Sequence, residues 1–116
     1  MSINKVILLG YTGKDPEVKD VAGTKVANLS LATTEKGYTL QNGIQVPDRT
    51  EWHSLIFWKG LAEVVEKYVR KGSQIYIEGK IKTRQYEDRT GSKRYVTEIF
   101  VDKLELLGSR LAQQEA

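Results

Sequence analysis

Aromatic and basic side chains stand an even number of positions apart in two segments of the sequence, and these residue types can bind nucleic acid. Trp52 and Trp58 both stand at even positions of the segment 49–58, and an extended strand points such residues to one face. Aromatic rings stack on unpaired bases, at about 1–3 kcal/mol per base in proteins that bind single strands, and nearby basic groups neutralise phosphates. The second segment contains both types, at Lys80, Lys82, Arg84 and Tyr86. The spacing predicts a surface that binds single strands with little sequence preference.

The charge distribution agrees with a polyanionic partner without proving one. The chain has 18 Lys+Arg against 15 Asp+Glu, a net charge of +3. The segment 80–94 alone contains six basic and two acidic residues, a local excess of +4. A solvated hairpin explains this excess equally well. The placement of the charges beside aromatic residues therefore matters more than their sum.

The sequence offers no catalytic or metal-binding set. It has no cysteine, which excludes disulfides and Cys-based zinc sites, and its single histidine argues against a His-rich metal site. It lacks the Gly-x-Ser-x-Gly and Gly-Lys-[Ser/Thr] motifs of hydrolases and phosphate-binding loops. No apolar run approaches the roughly 20 residues needed to cross a bilayer, and no signal-peptide core is present. We therefore expect a cytoplasmic protein that is not an enzyme and needs no cofactor or metal.

Hydrophobic patterning predicts five strands and one helix. The predicted strands cover residues 5–11, 25–34, 49–58, 74–87 and 94–107, and the helix covers 59–71. Residues 14–17 are predicted to form a turn and residues 35–48 a long polar loop. Five strands with a helix between the third and fourth is the element order of the OB-fold, a five-stranded Greek-key barrel. We expect an all-β OB-fold domain over residues 1–108 and a disordered remnant over 109–116.

Each candidate residue also has a purely structural interpretation. Trp58 adjoins the helix and could belong to the core, while Trp52 could pack beneath the long loop. Tyr38, within that loop, could stack on a base or only anchor the loop. His53 stands on the opposite strand face from the tryptophans, so packing or a subunit interface explains it better than catalysis. Tyr76 is likewise interpreted as a packing or interface residue.

Six motifs give the chain a resemblance to the bacterial single-stranded DNA-binding proteins, from Asn4 to about Gly108. Their order and spacing together are highly specific. The motifs are Asn4-Lys5-Val6-Ile7-Leu8, Gly13-Lys14-Asp15-Pro16-Glu17-Val18, Thr50-Glu51-Trp52-His53, Leu61-Ala62-Glu63-Val64, Arg70-Lys71-Gly72-Ser73-Gln74-Ile75-Tyr76-Ile77-Glu78-Gly79 and Thr83-Arg84.

The resemblance implies an OB-fold homotetramer that wraps single-stranded DNA in replication, recombination and repair. It implies that Trp52, Trp58 and Tyr86 stack on bases, with Tyr38 as the nearest candidate for a fourth ring. It also implies that His53 lies near a subunit interface, where we place Tyr76 as well. We further expect phosphate contacts from basic residues of the same surface, namely Arg49, Lys59, Arg70, Lys71, Lys80, Lys82, Arg84 and Arg94.

The chain departs from the family pattern at several positions. Ser54 and Gly60 stand where many members carry a basic residue, so we expect that phosphate contacts there are lost or move to Lys59. Members normally continue with a flexible linker and an acidic tip that recruits replication and repair proteins. The sequence stops at Ala116 without either. Tail-recruited partners are therefore expected only if a longer native chain carries such a tip.

Two other classes of function stay open at this point. A structural or assembly module would use the aromatic residues for protein contacts and would have no affinity for oligo(dT) at low salt. An accessory domain for RNA or for a nucleic-acid enzyme would prefer RNA or a defined sequence, since the OB-fold serves many functions. An enzyme in its own right is the weakest alternative, because no general base with a partner can be named.

Overall fold

Eight strands and one short helix make up residues 1–107, the part of the chain that the computed structural model describes. The predicted remnant 109–116 lies outside the described residues. The helix, α1 (Gly60–Tyr68), lies between the sixth and seventh strands. The strands are β1 (Val6–Thr12), β2 (Glu17–Val21), β3 (Thr24–Glu35), β4 (Tyr38–Thr39), β5 (Gln45–Val46), β6 (Arg49–Trp58), β7 (Gln74–Glu87) and β8 (Lys93–Leu106).

Five of these strands close into a ring, in the order β1-β7-β8-β6-β3. The ring closes where Tyr11 and Thr12 of β1 pair with Ala32 and Leu31 of β3. Strands β6 and β8 are parallel, whereas the other neighbours in the ring are antiparallel. The ring with its single helix confirms the predicted five-stranded OB-fold barrel.

Alternating residues of the ring fill the barrel. Leu31, Leu55, Phe57, Ile75 and Ile77 are fully buried there, and burial of a side chain of this size contributes about 1.5–3 kcal/mol. Helix α1 packs on β3 and β6 and adds its own buried residues to the core. Because the odd positions of β6 point into this core, its even positions point outward.

Two glycines allow the strands of the ring to approach closely. A Cβ atom on Gly10 would lie 2.2 Å from the carbonyl oxygen of Ala32, at the point where the ring closes. A Cβ atom on Gly79 would lie 2.4 Å from the carbonyl oxygen of Phe100. The register of β7 and β8 shifts between Glu78 and Gly79. Gly10 thus lies at a contact between strands where no side chain fits.

Strand β2 was not among the predicted strands, because residues 14–17 indicate a turn. In the structure β2 pairs with β3 from Glu17↔Asn28 to Val21↔Thr24. The two-residue turn between them consists of Ala22 and Gly23, with φ of 51° and 83°. Positive φ at both positions is typical of the tight hairpin turn that matches strand twist.

The helix is shorter than predicted, and the long loop is more ordered. Val69 leaves α1 with extended backbone (φ −94°, ψ 131°), which places its side chain in the core, so the helix ends at Tyr68. Within the predicted loop 35–48, β4 and β5 form a small hairpin in which Tyr38 pairs with Val46. The amide of Gly37 donates to the Asp48 carboxylate at 2.7 Å and ties the base of this hairpin together.

Candidate nucleic-acid interface

Both tryptophans of β6 project outward from the barrel. Leu55 and Phe57 are buried in the core, so alternation turns Trp52 and Trp58 to the opposite face. The two side chains are 58% and 39% exposed, respectively. Two indoles sealed inside the barrel would have contradicted the stacking hypothesis, and neither of them is sealed there.

Trp52 rests against the bare backbone of Gly13. A Cβ atom on Gly13 would lie 2.4 Å from Cζ3 and 2.7 Å from Cη2 of the indole. The cross-strand partner of Trp52 on β3 is Ala32, another small residue. The position of the indole therefore depends on the lack of a side chain at Gly13. Sequence reasoning missed this role of Gly13, because the contact joins segments far apart in the chain.

Trp58 belongs to a three-residue contact that spans β6, β8 and β7. Its indole stacks on Phe100, with ring centroids 6.3 Å apart and an interplanar angle of 29°. The Nζ atom of Lys82 lies 4.6 Å from the centroid of the same phenyl ring. Sequence reasoning missed Phe100. The available signal was its position between the buried Ile99 and Val101, which turns it outward.

A shallow groove lies between the two tryptophans. Ser54 and Ile56 stand between them on β6, opposite Ser30 and Asn28 of β3. The groove is lined by Lys14, Glu17, Asn28, Leu29, Ser30, Ser54, Leu55, Ile56 and Glu98. Because most of the outward side chains here are small or polar, an extended chain can pass between the rings.

The buried carboxylate of this groove is neutralised within the chain. Glu98 is 7% exposed and accepts hydrogen bonds from Nε and Nη2 of Arg84, at 2.8 Å and 3.4 Å. The hydrogen bond to Glu98 raises the pKa of Arg84. Without this pair, a carboxylate on the groove wall would repel a phosphate. Arg84, predicted to contact phosphate, is thus engaged by Glu98.

The hairpin of β7 and β8 contains a second ion pair and two unpaired lysines. Arg94 Nε donates to Asp88 at 2.9 Å. The hydroxyl of Thr90 and, after it, Arg94 lower the pKa of Asp88 to about 2. Within residues 1–107, Lys80 and Lys82 form no ion pair. Of the four predicted basic residues on this hairpin, two hold carboxylates and two present a free positive charge.

Two further predicted basic residues lie at the ends of β6. Arg49 begins the strand and pairs across the sheet with Glu35. Lys59 follows Trp58 directly, has a left-handed backbone with φ of 55°, and donates its amide to the Lys25 carbonyl at 2.9 Å. Lys59 is therefore fixed by its backbone beside one stacking candidate, with an exposed side chain.

The last two predicted basic residues follow α1. Arg70 Nη1 donates to the carbonyl oxygens of Glu66 and Val69, at 2.8 Å and 2.7 Å, so the guanidinium caps the helix. The amide of Lys71 donates to the Asp15 carboxylate at 2.8 Å. Arg70 thus has a structural task, whereas the Lys71 ammonium forms no ion pair within residues 1–107.

The chain is similar to known proteins in both sequence and structure. It matches the profile described as "Single-strand binding protein family" over residues 3–107. The chain belongs to this family. The curated single-stranded DNA-binding protein of Bacteroides thetaiotaomicron is 55% identical over 117 residues, which cover 100% of this chain and 73% of that relative. The solved structure "Plasmodium falciparum SSB complex with ssDNA" superposes with a TM-score of 0.83 at 30% identity, covering 93% of this chain and 97% of that one.

Membership in the single-strand binding protein family confirms the resemblance, the OB-fold and the binding of single-stranded DNA that the sequence predicted. The residues that contact DNA and the number of subunits stay predictions.

The two tyrosines that complete the predicted stacking set lie on separate hairpins. Tyr86 stands near the end of β7, opposite Arg94, and Tyr38 stands on β4, opposite Val46. Both side chains are exposed. Within residues 1–107 neither ring stacks on a tryptophan, so each offers its ring separately.

His53 lies on the core-facing side of β6, opposite to the tryptophans. Its Nε2 atom is 2.8 Å from the Thr33 hydroxyl, and the side chain is half-buried. This hydrogen bond satisfies the ring within the chain. Among the described residues His53 forms no salt bridge with a carboxylate, and its hydrogen bond to Thr33 agrees with the interpretation as a packed or interface residue.

Tyr76 borders a row of exposed apolar side chains on β1. Ile7, Leu9 and Tyr11 share the outer face of that strand and are all more than half exposed, and Leu9 pairs directly with Tyr76. The Tyr76 hydroxyl donates to Glu78, which raises the pKa of the tyrosine and lowers the pKa of the carboxylate. This surface is separate from the tryptophan groove.

The described residues add no metal centre to this picture. Among residues 1–107, no three His, Cys, Asp or Glu side chains come together in a way that could hold a metal ion. In the same range no helix has the length and apolar character needed to cross a membrane.

Proposed function

We propose that the protein binds single-stranded DNA along the outer face of β3 and β6, with bases stacked on Trp52 and Trp58. The observation that carries this proposal is the pair of solvent-open indoles on one strand, with a groove of mostly small and polar side chains between them. Tyr38 and Tyr86 extend the stacking surface on their hairpins. Each base stacked in this way contributes about 1–3 kcal/mol in proteins of this kind.

We propose that the predicted basic residues bind the phosphates. We assign the main contacts to groups with free charge, because a lysine that is not ion-paired can release counterions from DNA. These are Lys59, Lys71, Lys80 and Lys82, together with Arg49 at the start of β6. Arg70, Arg84 and Arg94 already bind carbonyl or carboxylate groups, so we assign them a smaller share.

Stacking explains tolerance of any base sequence and discrimination against duplex DNA. Every base has a ring face, whereas in a duplex these faces are hidden in the stack. Binding of this kind makes and breaks no covalent bond, so the proposed function is non-enzymatic and needs no cofactor.

We propose that the chain assembles as a homotetramer around which one strand wraps. The row of Ile7, Leu9 and Tyr11 supports assembly, because contiguous apolar patches on a soluble domain usually mark an interface. His53 and Tyr76 are the further interface positions. Four binding faces on one particle would cover a long strand and protect it during replication, recombination and repair.

The binding unit in this proposal is residues 1–108, acting in the cytoplasm on nucleoid DNA. Recruitment of replication and repair proteins is proposed only for a longer native chain that carries an acidic tip. The wrapped strand and the other copies of the chain are then the partners of the residues described.

A competition experiment tests these proposals. Labelled oligo(dT) is titrated with the protein at several salt concentrations, in competition with duplex DNA and RNA of equal length, and light scattering gives the mass. We expect oligo(dT) to win over duplex and its affinity to fall with salt, with a log–log slope of about −0.7 per phosphate contact. Equal affinity for duplex, or a preference for RNA or one sequence, would contradict the coat function. A mass other than four chains would contradict only the tetramer.

A further inference from the structure

We propose that Phe100 is a positioning residue that holds Trp58 and Lys82 as one binding unit, in which a base stacks on the indole and the adjacent phosphate meets the ammonium. The inference rests on the proposed DNA-binding role of this face. Phe100 contacts both partners, with its centroid 6.3 Å from that of Trp58 and 4.6 Å from Lys82 Nζ.

The register of the sheet explains why one phenyl ring reaches two strands. Phe100 stands directly opposite Ile56 of β6 and Lys80 of β7. Trp58 and Lys82 each stand two positions further along their own strands, so they are diagonal neighbours of Phe100. Diagonal positions on one face of a sheet are within reach of aromatic and long side chains. Phe100 of β8 therefore links the two neighbouring strands, β6 and β7, through side-chain contacts.

The contact with Phe100 holds Lys82 without neutralising it. Glu98 stands directly opposite Lys82 and would be the ordinary partner of an ammonium group. Arg84 occupies that carboxylate at 2.8 Å, and the Lys82 ammonium lies over the ring instead. An aromatic face attracts a cation through its quadrupole and leaves the charge intact. Lys82 thus keeps a positive charge on the same phenyl ring on which the Trp58 indole stacks.

A leucine at position 100 would remove the ring while keeping an apolar side chain. Phe100→Leu therefore releases both the stacked indole and the ammonium group. We expect the affinity for oligo(dT) to fall roughly threefold to tenfold. We also expect the salt slope to decrease by up to about 0.7, because Lys82 no longer meets its phosphate in a fixed position.

The test compares variants of the full chain in oligo(dT) titrations over a salt series. Phe100→Leu and Lys82→Gln should reduce the salt slope by the same amount, and the double variant should be little weaker than either single one, since both remove one unit. Phe100→Tyr should restore affinity and slope because it keeps the ring. Tyr95→Leu is the matched control, because alternation points Tyr95 to the opposite face of β8 and its binding should match that of the unmodified chain.

Several results would overturn the inference. The first is a folded Phe100→Leu protein whose affinity for oligo(dT) and salt slope are both unchanged. The second is a Phe100→Leu protein that binds more weakly but has an unchanged salt slope. The third is a double variant in which the two losses of binding free energy add. The last two are what a purely structural role would give. If Phe100→Leu lowers the thermal midpoint, a cycle of Trp58→Leu with Lys82→Gln tests the same unit with position 100 intact, and additivity there also refutes it. Failure of the unmodified protein to bind oligo(dT) would instead refute the proposed function.

Discussion

Replacing Trp52 by alanine should weaken DNA binding and leave the fold intact. The side chain is 58% exposed and rests on Gly13, outside the core. Exposed substitutions of this kind usually change the free energy of unfolding by less than about 0.5 kcal/mol. Loss of one stacked base costs about 1–3 kcal/mol in single-strand binding proteins, which corresponds to roughly fivefold to 150-fold in affinity.

The same geometry predicts a smaller loss for Trp58→Ala. Trp58 is 39% exposed and stacks on Phe100, whose ring becomes accessible when the indole is removed. A base can then settle on the phenyl face and recover part of the stacking energy. Trp52 has no aromatic neighbour of this kind among residues 1–107, so nothing replaces its ring.

Intrinsic fluorescence makes the Trp52 experiment direct. The chain has two tryptophans, so Trp58 is the sole reporter in Trp52→Ala when short oligo(dT) is titrated at constant salt. Trp52→Phe is the matched control, since it keeps a ring and should bind within about threefold of the unmodified chain. Light scattering and thermal denaturation verify assembly and folding. A folded Trp52→Ala protein of unchanged mass that binds within about twofold would refute the stacking assignment.

Three further contacts give predictions of their own. Gly13→Ala should weaken oligo(dT) binding severalfold at unchanged mass, because the new Cβ would lie 2.4 Å from the Trp52 ring; an unchanged titration curve would refute this. Glu98→Gln should strengthen binding and steepen the salt slope by up to about 0.7, since it frees a paired arginine; an unchanged slope would count against it. In an NMR carboxylate titration, Asp88 should have a pKa of about 2, lowered from 3.8, so its contacts are fully present above pH 3.8 and lost as the pH falls through about 2. Thr90→Val should raise that pKa more than removal of the paired arginine, and the reverse order would contradict the assignment.

Strand positions were predictable wherever alternation continued along the whole strand. The bounds of β6 and β7 are those that the sequence predicts, because long runs of alternating residues define them. Strand β2 was missed since Glu17–Val21 buries little, and its pairing with β3 stabilises it. The end of α1 was placed too late, because burial of Val69 favours extended backbone over another turn of helix. In both cases a tertiary contact outweighs the local pattern.

The sequence predicts which strand face the stacking residues occupy, but it does not predict which residues support them. Alternation alone places Trp52 and Trp58 on one side of β6, and the structure has them there. Which residues support these rings depends on register between strands that are distant in sequence. The contacts of Gly13 with Trp52 and of Phe100 with Trp58 could therefore not be recognised before the barrel was closed.

The number of basic residues in the sequence does not give the number that are free to bind phosphate. The excess of basic residues over 80–94 suggests a continuous positive track, yet Arg84 and Arg94 are bound by Glu98 and Asp88. Those pairs also favour the proposed binding, because each neutralises a carboxylate on the hairpin of β7 and β8. Since Arg84 occupies the carboxylate opposite Lys82, the lysine can rest on an aromatic ring with its charge available. The number of phosphates bound, and hence the salt slope, should therefore follow the unpaired lysines rather than the total of basic residues.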